Sequence, residues 1–138
     1  MNRHIRVFRE SESDDLIALW HSCGLVRPMH DPRQDITRAL AAPACRIIVY
    51  GSPIKGSVMV GYDGHRGWLY FLAVEPEARG DGIARAMIKA AEKWLREIGC
   101  VKMMGLAHPT NPSAQAYPAL GLQEEAPIVF GRRLAVDE

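Results

Sequence analysis

Apolar and polar residues alternate at the start of the chain, with Ile5, Val7 and Phe8 carrying the apolar positions of residues 4–9. That spacing predicts a short first strand. Ser11 and Ser13 then stand as candidate helix N-caps, and Asp14 and Asp15 favour the positive end of a helix whose apolar residues are Leu16, Ile17, Leu19 and Trp20. Gly24 stops it. Asp31-Pro32 is a second cap with proline in the first turn, opening a helix through Ile36 and Leu40 that Pro43 ends.

From residue 45 the pattern changes. Residues 45–50 are rich in β-branched side chains, residues 51–56 form a turn, and residues 57–62 read as an antiparallel partner strand. A second turn, 63–67, leads to an almost wholly apolar strand at 68–74, as expected of a strand covered on both faces. Ile83, Met87, Ile88, Ala91, Trp94, Leu95 and Ile98 then recur at helical spacing opposite a charged face, and Gly99 closes this longest helix. Residues 101–106 predict another strand, Asn111-Pro112 caps a short helix ending near Gly121, and residues 128–134 predict a last strand. No linker, repeat or low-complexity tract divides residues 1–138, so the expectation is one α+β domain.

The composition adds limits. A chain of 138 residues, 48% hydrophobic and 24% charged, is of ordinary globular type and buries one core. Its formal net charge of +1 supplies no broad field for nucleic acid, so anion binding must be local. No apolar run approaches the ~20 residues of a membrane helix, and the opening residues lack the regions of a signal peptide, so a cytoplasmic protein is expected. Cys23, Cys45 and Cys100 form neither a zinc knuckle nor an even disulfide set and read as buried structural thiols. The five histidines make no metal-ligand spacing, and no metal is expected.

The candidate chemistry sits between the apolar strand and the longest helix, at Arg79-Gly80-Asp81-Gly82-Ile83-Ala84. Two glycines let a backbone bend and approach a ligand without a Cβ in the way. The free N–H groups that begin the helix, with its dipole, then form a phosphate site, and Arg79 and Arg85 are placed to add charge-assisted bonds. A tight turn with a helix cap is the alternative. A P-loop would need Gly-Lys-Ser/Thr here, and a dinucleotide fold would need its glycines after the first strand; neither fits.

These residues resemble the GNAT superfamily of acyl-CoA-dependent N-acetyltransferases, whose signature Arg/Gln-x-x-Gly-x-Gly/Ala after an apolar strand looks like Leu72-Ala73-Val74-Glu75-Pro76-Glu77-Ala78-Arg79-Gly80-Asp81-Gly82-Ile83-Ala84. The order of elements from Arg3 to Leu134 is also similar to the family's. Leu25-Val26-Arg27-Pro28, Asp31-Pro32 and Gly61-Tyr62-Asp63-Gly64-His65-Arg66-Gly67 look like the bacterial YpeA-type branch. The resemblance implies a mixed, mostly antiparallel sheet of six to seven strands, splayed between two parallel strands and flanked by about four helices. It implies acetyl-CoA as acyl donor, held by Leu72, Ala73, Val74, Arg79, Gly80, Asp81, Gly82, Ile83, Ala84, Arg85 and Asn111.

The late signature of the family, an Asn at the start of the last helix and a Tyr two turns on, looks like Asn111 and Tyr117, with Thr110 as the alternative to Asn111. Tyr117 would protonate the departing thiolate, or else simply pack. Relatives often carry a carboxylate on the strand before the loop; residues 68–74 have none, and Tyr70, Asp63 and His65 are the nearest candidates, so no base is assigned. Arg27, Met29, His30 and Asp31, and likewise His108-Pro109-Thr110, either line the acceptor site or form solvated loops. Two functions follow: transfer of acetyl to an amine of a small molecule or peptide, or a coenzyme A-binding module without turnover. Monomer and homodimer both stay open.

Overall fold

The computed structural model describes residues 4–28 and 31–135. Five strands make one sheet in chain order: β1 (Ile5–Val7), β2 (Cys45–Tyr50), β3 (Gly56–Tyr62), β4 (Gly67–Val74) and β5 (Met103–Gly105). The first four pair antiparallel, and β4 pairs with β5 in parallel. Helices α1 (Ser13–Ser22) and α2 (Pro32–Ala41) lie on one face, whereas α3 (Ile83–Glu97) and α4 (Pro112–Ala119) lie on the other. Among the described residues no helix is long and apolar enough to cross a membrane.

Each face has its own core. Leu16, Leu19 and Trp20 of α1 and Ile36 of α2 close over Ile47, Val49 and Met59, all buried. On the far side Ile83, Met87, Ile88, Ala91 and Leu95 of α3 cover Ile48, Val58, Val60 and Leu69. This is the stripe expected from the 3.6-residue period, and each fully buried aliphatic side chain contributes about 1.5–3 kcal/mol relative to exposure. Close approach of α3 depends on Gly67, where a Cβ would lie 2.6 Å from Leu95 Cδ1. Trp94 and Ile98 are less engaged: Ile98 is exposed, and Trp94 carries the Arg46 guanidinium 4.8 Å from its ring centroid.

Local signals were mostly sufficient for α2, where Asp31 Oδ1 accepts from the Arg33 amide at 2.9 Å, with Pro32 in the first turn. The start of α1 differs from expectation. A 3-10 turn over Glu10–Glu12 leads into the helix, Ser13 Oγ donates to the Glu10 carbonyl at 2.6 Å, and no side chain caps α1. The tertiary reason is Glu12, which accepts from Arg6 Nη1 of β1 at 2.7 Å and so fixes the approach of the chain.

Two strand expectations are also corrected. Of the predicted 101–106 strand only Met103–Gly105 forms the strand, flanked by single bonds to β4 at Lys102 and Leu106, with Val101 exposed. Residues 128–134 form no strand, and Ile128, Val129, Phe130 and Leu134 are all exposed. A run of β-forming side chains expresses fitness for a pleated, half-buried surface, and here the described chain offers it no partner. The sheet therefore has five strands among the described residues rather than six or seven, within the expected architecture.

Candidate active site

The site begins where β4 loses a neighbour. Gly67, Trp68 and Leu69 pair with Met103, Met104 and Gly105, and a last bond runs from the Leu106 amide to the Leu69 carbonyl at 3.4 Å. Beyond it β5 departs, while β4 stays with β3 to Val74. The Glu75 amide donates to Lys55 O at 2.8 Å, so antiparallel alternation makes Ser57 and Ala73 a hydrogen-bonded pair. Leu72 and Val74 consequently turn their main-chain groups away from β3, towards the gap.

At the other end of the gap stands the start of α3. Gly80 and Gly82 have φ of +92° and +80°, in the region that favours glycine, and a Cβ at either would meet nothing within 4 Å. Gly82 is the N-cap of α3, and no side chain caps it. Since the first amides of a helix have no partner within it, this bend offers donors and the positive end of the helix dipole to an anion. A hydrogen bond to a charged group is worth about 1.5–3 kcal/mol, so a few such amides are enough to anchor a diphosphate.

The gap and the bend open into one cleft of about 380 Å³, lined by Leu72, Ala73, Val74, Arg79, Gly80, Gly82, Ile83, Ala84, Arg85 and Asn111. Those are ten of the eleven residues expected to hold the donor; Asp81 is exposed and lies off the lining. The two arginines are committed within the protein. Arg79 Nε donates to the Val74 carbonyl at 3.0 Å and its Nη2 reaches Cys23 Sγ at 3.7 Å, whereas Arg85 Nη2 donates to the Ala119 carbonyl at 2.9 Å. Both arginines line the cleft while making these bonds.

Sequence reasoning missed Cys23. Its half-buried thiol lines the cleft and donates to the Val74 carbonyl at 3.4 Å, and burial pushes its pKa up. No spacing signal marks it, because α1 meets the end of β4 only in three dimensions. All three cysteines are free and half-buried.

Asn111 lines the cleft just before α4, whereas Thr110 Oγ1 sits 2.8 Å from His108 Nδ1 in an exposed turn outside the lining. Tyr117 is buried on α4 with its ring against Gly105, where an added Cβ would lie 2.8 Å from Cζ. Burial pushes its pKa up to about 12. The neighbouring Ala116 and Leu120 line the cleft, but Tyr117 does not reach the lining. Pro118 stays within α4, one residue before its end.

The residues expected to act as base or to line an acceptor site separate. Asp63 closes its own turn: Oδ1 accepts from the His65 and Arg66 amides, both at 2.8 Å, and Oδ2 from Trp68 Nε1 at 3.1 Å. Those bonds hold its carboxyl down at about 2, too acidic to take a proton from an amine. Tyr70 is 38% exposed with its pKa raised by burial, a phenol at neutral pH. Arg27 is exposed, Asp31 caps α2, and Met29 and His30 lie outside the described residues. Among the described residues no group of three or more His, Cys, Asp or Glu is arranged to hold a metal ion.

A parallel strand pair that parts over an uncapped helix start defines a class of protein, and the comparisons name it. The model of the acetyltransferase (GNAT) family matches residues 8–122. The chain is 41% identical over 137 residues to acetyltransferase YE1169 of Yersinia enterocolitica, covering 97% of each, and 39% identical to an acetyltransferase of Yersinia pestis strain Pestoides F over the same shares. Its fold is similar to aminoglycoside N-acetyltransferase AAC(6')-Iy in complex with CoA, with a TM-score of 0.76, 21% identity and coverage of 95% and 94% of the two chains. The chain belongs to the acetyltransferase (GNAT) family and is an acetyltransferase.

Proposed function

We propose that the chain moves the acetyl group of acetyl-CoA to a primary amine of a small molecule or peptide, by direct attack in a ternary complex. The carrying observation is the single cleft that joins the open edge of β4 to the uncapped amides of α3. Gly80, Gly82, Ile83 and Ala84 hold the diphosphate through main-chain amides, and Leu72 and Val74 run beside the acetyl-pantetheine arm. Arg79, Arg85 and Asn111 shape the walls. Asp81 stands between the two glycines, off the lining of the cleft.

In the reaction the amine nitrogen attacks the thioester carbonyl, a C–N bond forms and the C–S bond breaks. The Leu72 amide, aimed into the gap, stabilises the developing oxyanion. We assign the proton for the departing thiolate to Tyr117, which is still protonated at neutral pH. We assign the proton leaving the amine to water; the Asp63 carboxyl is held too acidic and the Tyr70 phenol already carries its proton. The same reading places the enzyme in the cytoplasm with soluble amines and without nucleic acid, in keeping with its net charge of +1.

The test is release of free thiol from acetyl-CoA with a panel of primary amines, from polyamines and amino sugars to peptides with free N-termini. At least one acceptor should raise thiol release well above the hydrolysis background. A protein that binds acetyl-CoA and responds to none of the amines ends the proposal.

A further inference from the structure

Ser57 is completely buried on β3, one of two buried polar residues among those described. It receives a hydrogen bond from Nε1 of the fully buried Trp20 at 3.0 Å and donates its own hydroxyl to the Phe71 carbonyl at 2.9 Å. The Phe71 ring stacks on Trp20, with centroids 4.0 Å apart and planes 16° from parallel. Three residues from α1, β3 and β4 thus form a closed unit on the face opposite α3.

What this unit holds is unusual backbone. Phe71 has φ of +52°, the only positive value at a non-glycine among the described residues. The β3–β4 register shifts there, with Phe71 and Leu72 together facing Val58, so the strand bulges. A left-handed conformation is unfavourable for a bulky side chain, and such a residue persists only where its surroundings hold it. A buried hydroxyl also costs free energy unless it is bonded, and Ser57 is bonded on both sides.

The consequence follows from peptide geometry. In a trans peptide the carbonyl of one residue and the N–H of the next point in opposite directions. The Phe71 carbonyl points at Ser57, towards β3, so the Leu72 N–H points away from β3, into the gap that β5 vacates. We propose that Trp20 and Ser57 are positioning residues for acetyl transfer: their hydrogen-bonded chain fixes the Phe71–Leu72 peptide and aims the Leu72 amide at the thioester carbonyl. This rests on the reading that acetyl-pantetheine lies along Leu72 and Val74. Neither side chain touches the donor, and the effect passes through one peptide plane.

The test reads the carbonyl itself, by isotope-edited infrared spectroscopy of acetyl-CoA labelled with 13C at the thioester carbonyl, bound to wild-type, Ser57→Ala and Trp20→Phe protein. The wild type should lower the carbonyl stretch relative to free acetyl-CoA. Ser57→Ala should return it towards the free value while the acetyl-CoA dissociation constant stays within about threefold, and kcat should fall about tenfold with KM for acetyl-CoA little changed, since the donor is misaimed rather than removed. Trp20→Phe keeps an aromatic ring over Phe71 and removes the N–H together with the rest of the indole's second ring, so it should move the stretch the same way by less, and it decides the matter if Ser57→Ala does not fold. A wild-type shift that survives both substitutions overturns the proposal, whatever happens to Tm. Acetyl-CoA bound to the wild type with no shift at all overturns the donor placement as well.

Discussion

Residues 67–69 of β4 are hydrogen-bonded along both edges, to β3 and to β5, whereas residues 70–74 keep only β3. The two stretches are alike in composition, both mainly apolar and without a charged residue. One is a closed part of the sheet, with Leu69 fully buried; the other is a cleft wall with main-chain groups turned to a cavity. The difference lies in whether a neighbouring strand is present. Reactivity here comes from withholding a partner from a backbone that would ordinarily be paired, and then fixing that backbone so that it does not relax.

If the open half works together with the bend at α3, the largest break comes from Gly82→Val. A branched side chain at φ +80° is strained, and its Cβ enters space that is open in this structure. Acetyl-CoA affinity should fall about 100-fold by calorimetry, the loss of one or two charge-assisted amide bonds. An affinity within threefold of wild type would remove the bend from the donor site.

Tyr117→Phe separates chemistry from the paired half. It keeps the ring on Gly105 and removes the hydroxyl, so acetyl-CoA binding should hold while kcat drops about a hundredfold, the low end for a lost proton donor. It also has a stability signature. The phenol pKa rises from 10 to about 12 on folding, so the folded state keeps its proton longer than the unfolded chain. Stability is therefore full below pH 10 and is lost as the pH rises towards about 12, and urea unfolding at pH 9 and pH 11 should show that loss in the wild type and less of it in Tyr117→Phe.

The smallest effect serves as the control, at a place remote from both halves. Arg6 donates to Glu12 and holds its carboxyl at about 2, below its usual 4.5. The stability this contributes is present above pH 4.5 and is lost as the pH falls towards about 2. Glu12→Gln should flatten that acid limb in urea unfolding at pH 3 and pH 6 while thiol release at neutral pH stays as in the wild type. A large fall in transfer would mean that the entry to α1 is coupled to the cleft.

Much of this was legible in the residues. The helix over Ile83–Glu97, the hairpin of β2 and β3 and the Asp31-Pro32 cap follow from period and capping, whereas the residues that line the cleft came from the family resemblance. The less legible part begins where long-range contacts decide. Residues 128–134 carry a strand pattern without a partner, Ser13 lost its capping role to the Arg6–Glu12 contact, and Arg79 and Arg85 went to the carbonyls of Val74 and Ala119.

The sequence by itself determined the bend at Gly80 and Gly82 and the helix after it, because backbone freedom and a 3.6-residue period act over a few neighbours. Only the tertiary structure decided that β5 leaves β4 after Leu69, that Phe71 sits at positive φ, and that Trp20 and Ser57 hold it there. Those features join residues up to 51 positions apart, Trp20 to Phe71, and a contact between distant positions leaves no periodic mark in either.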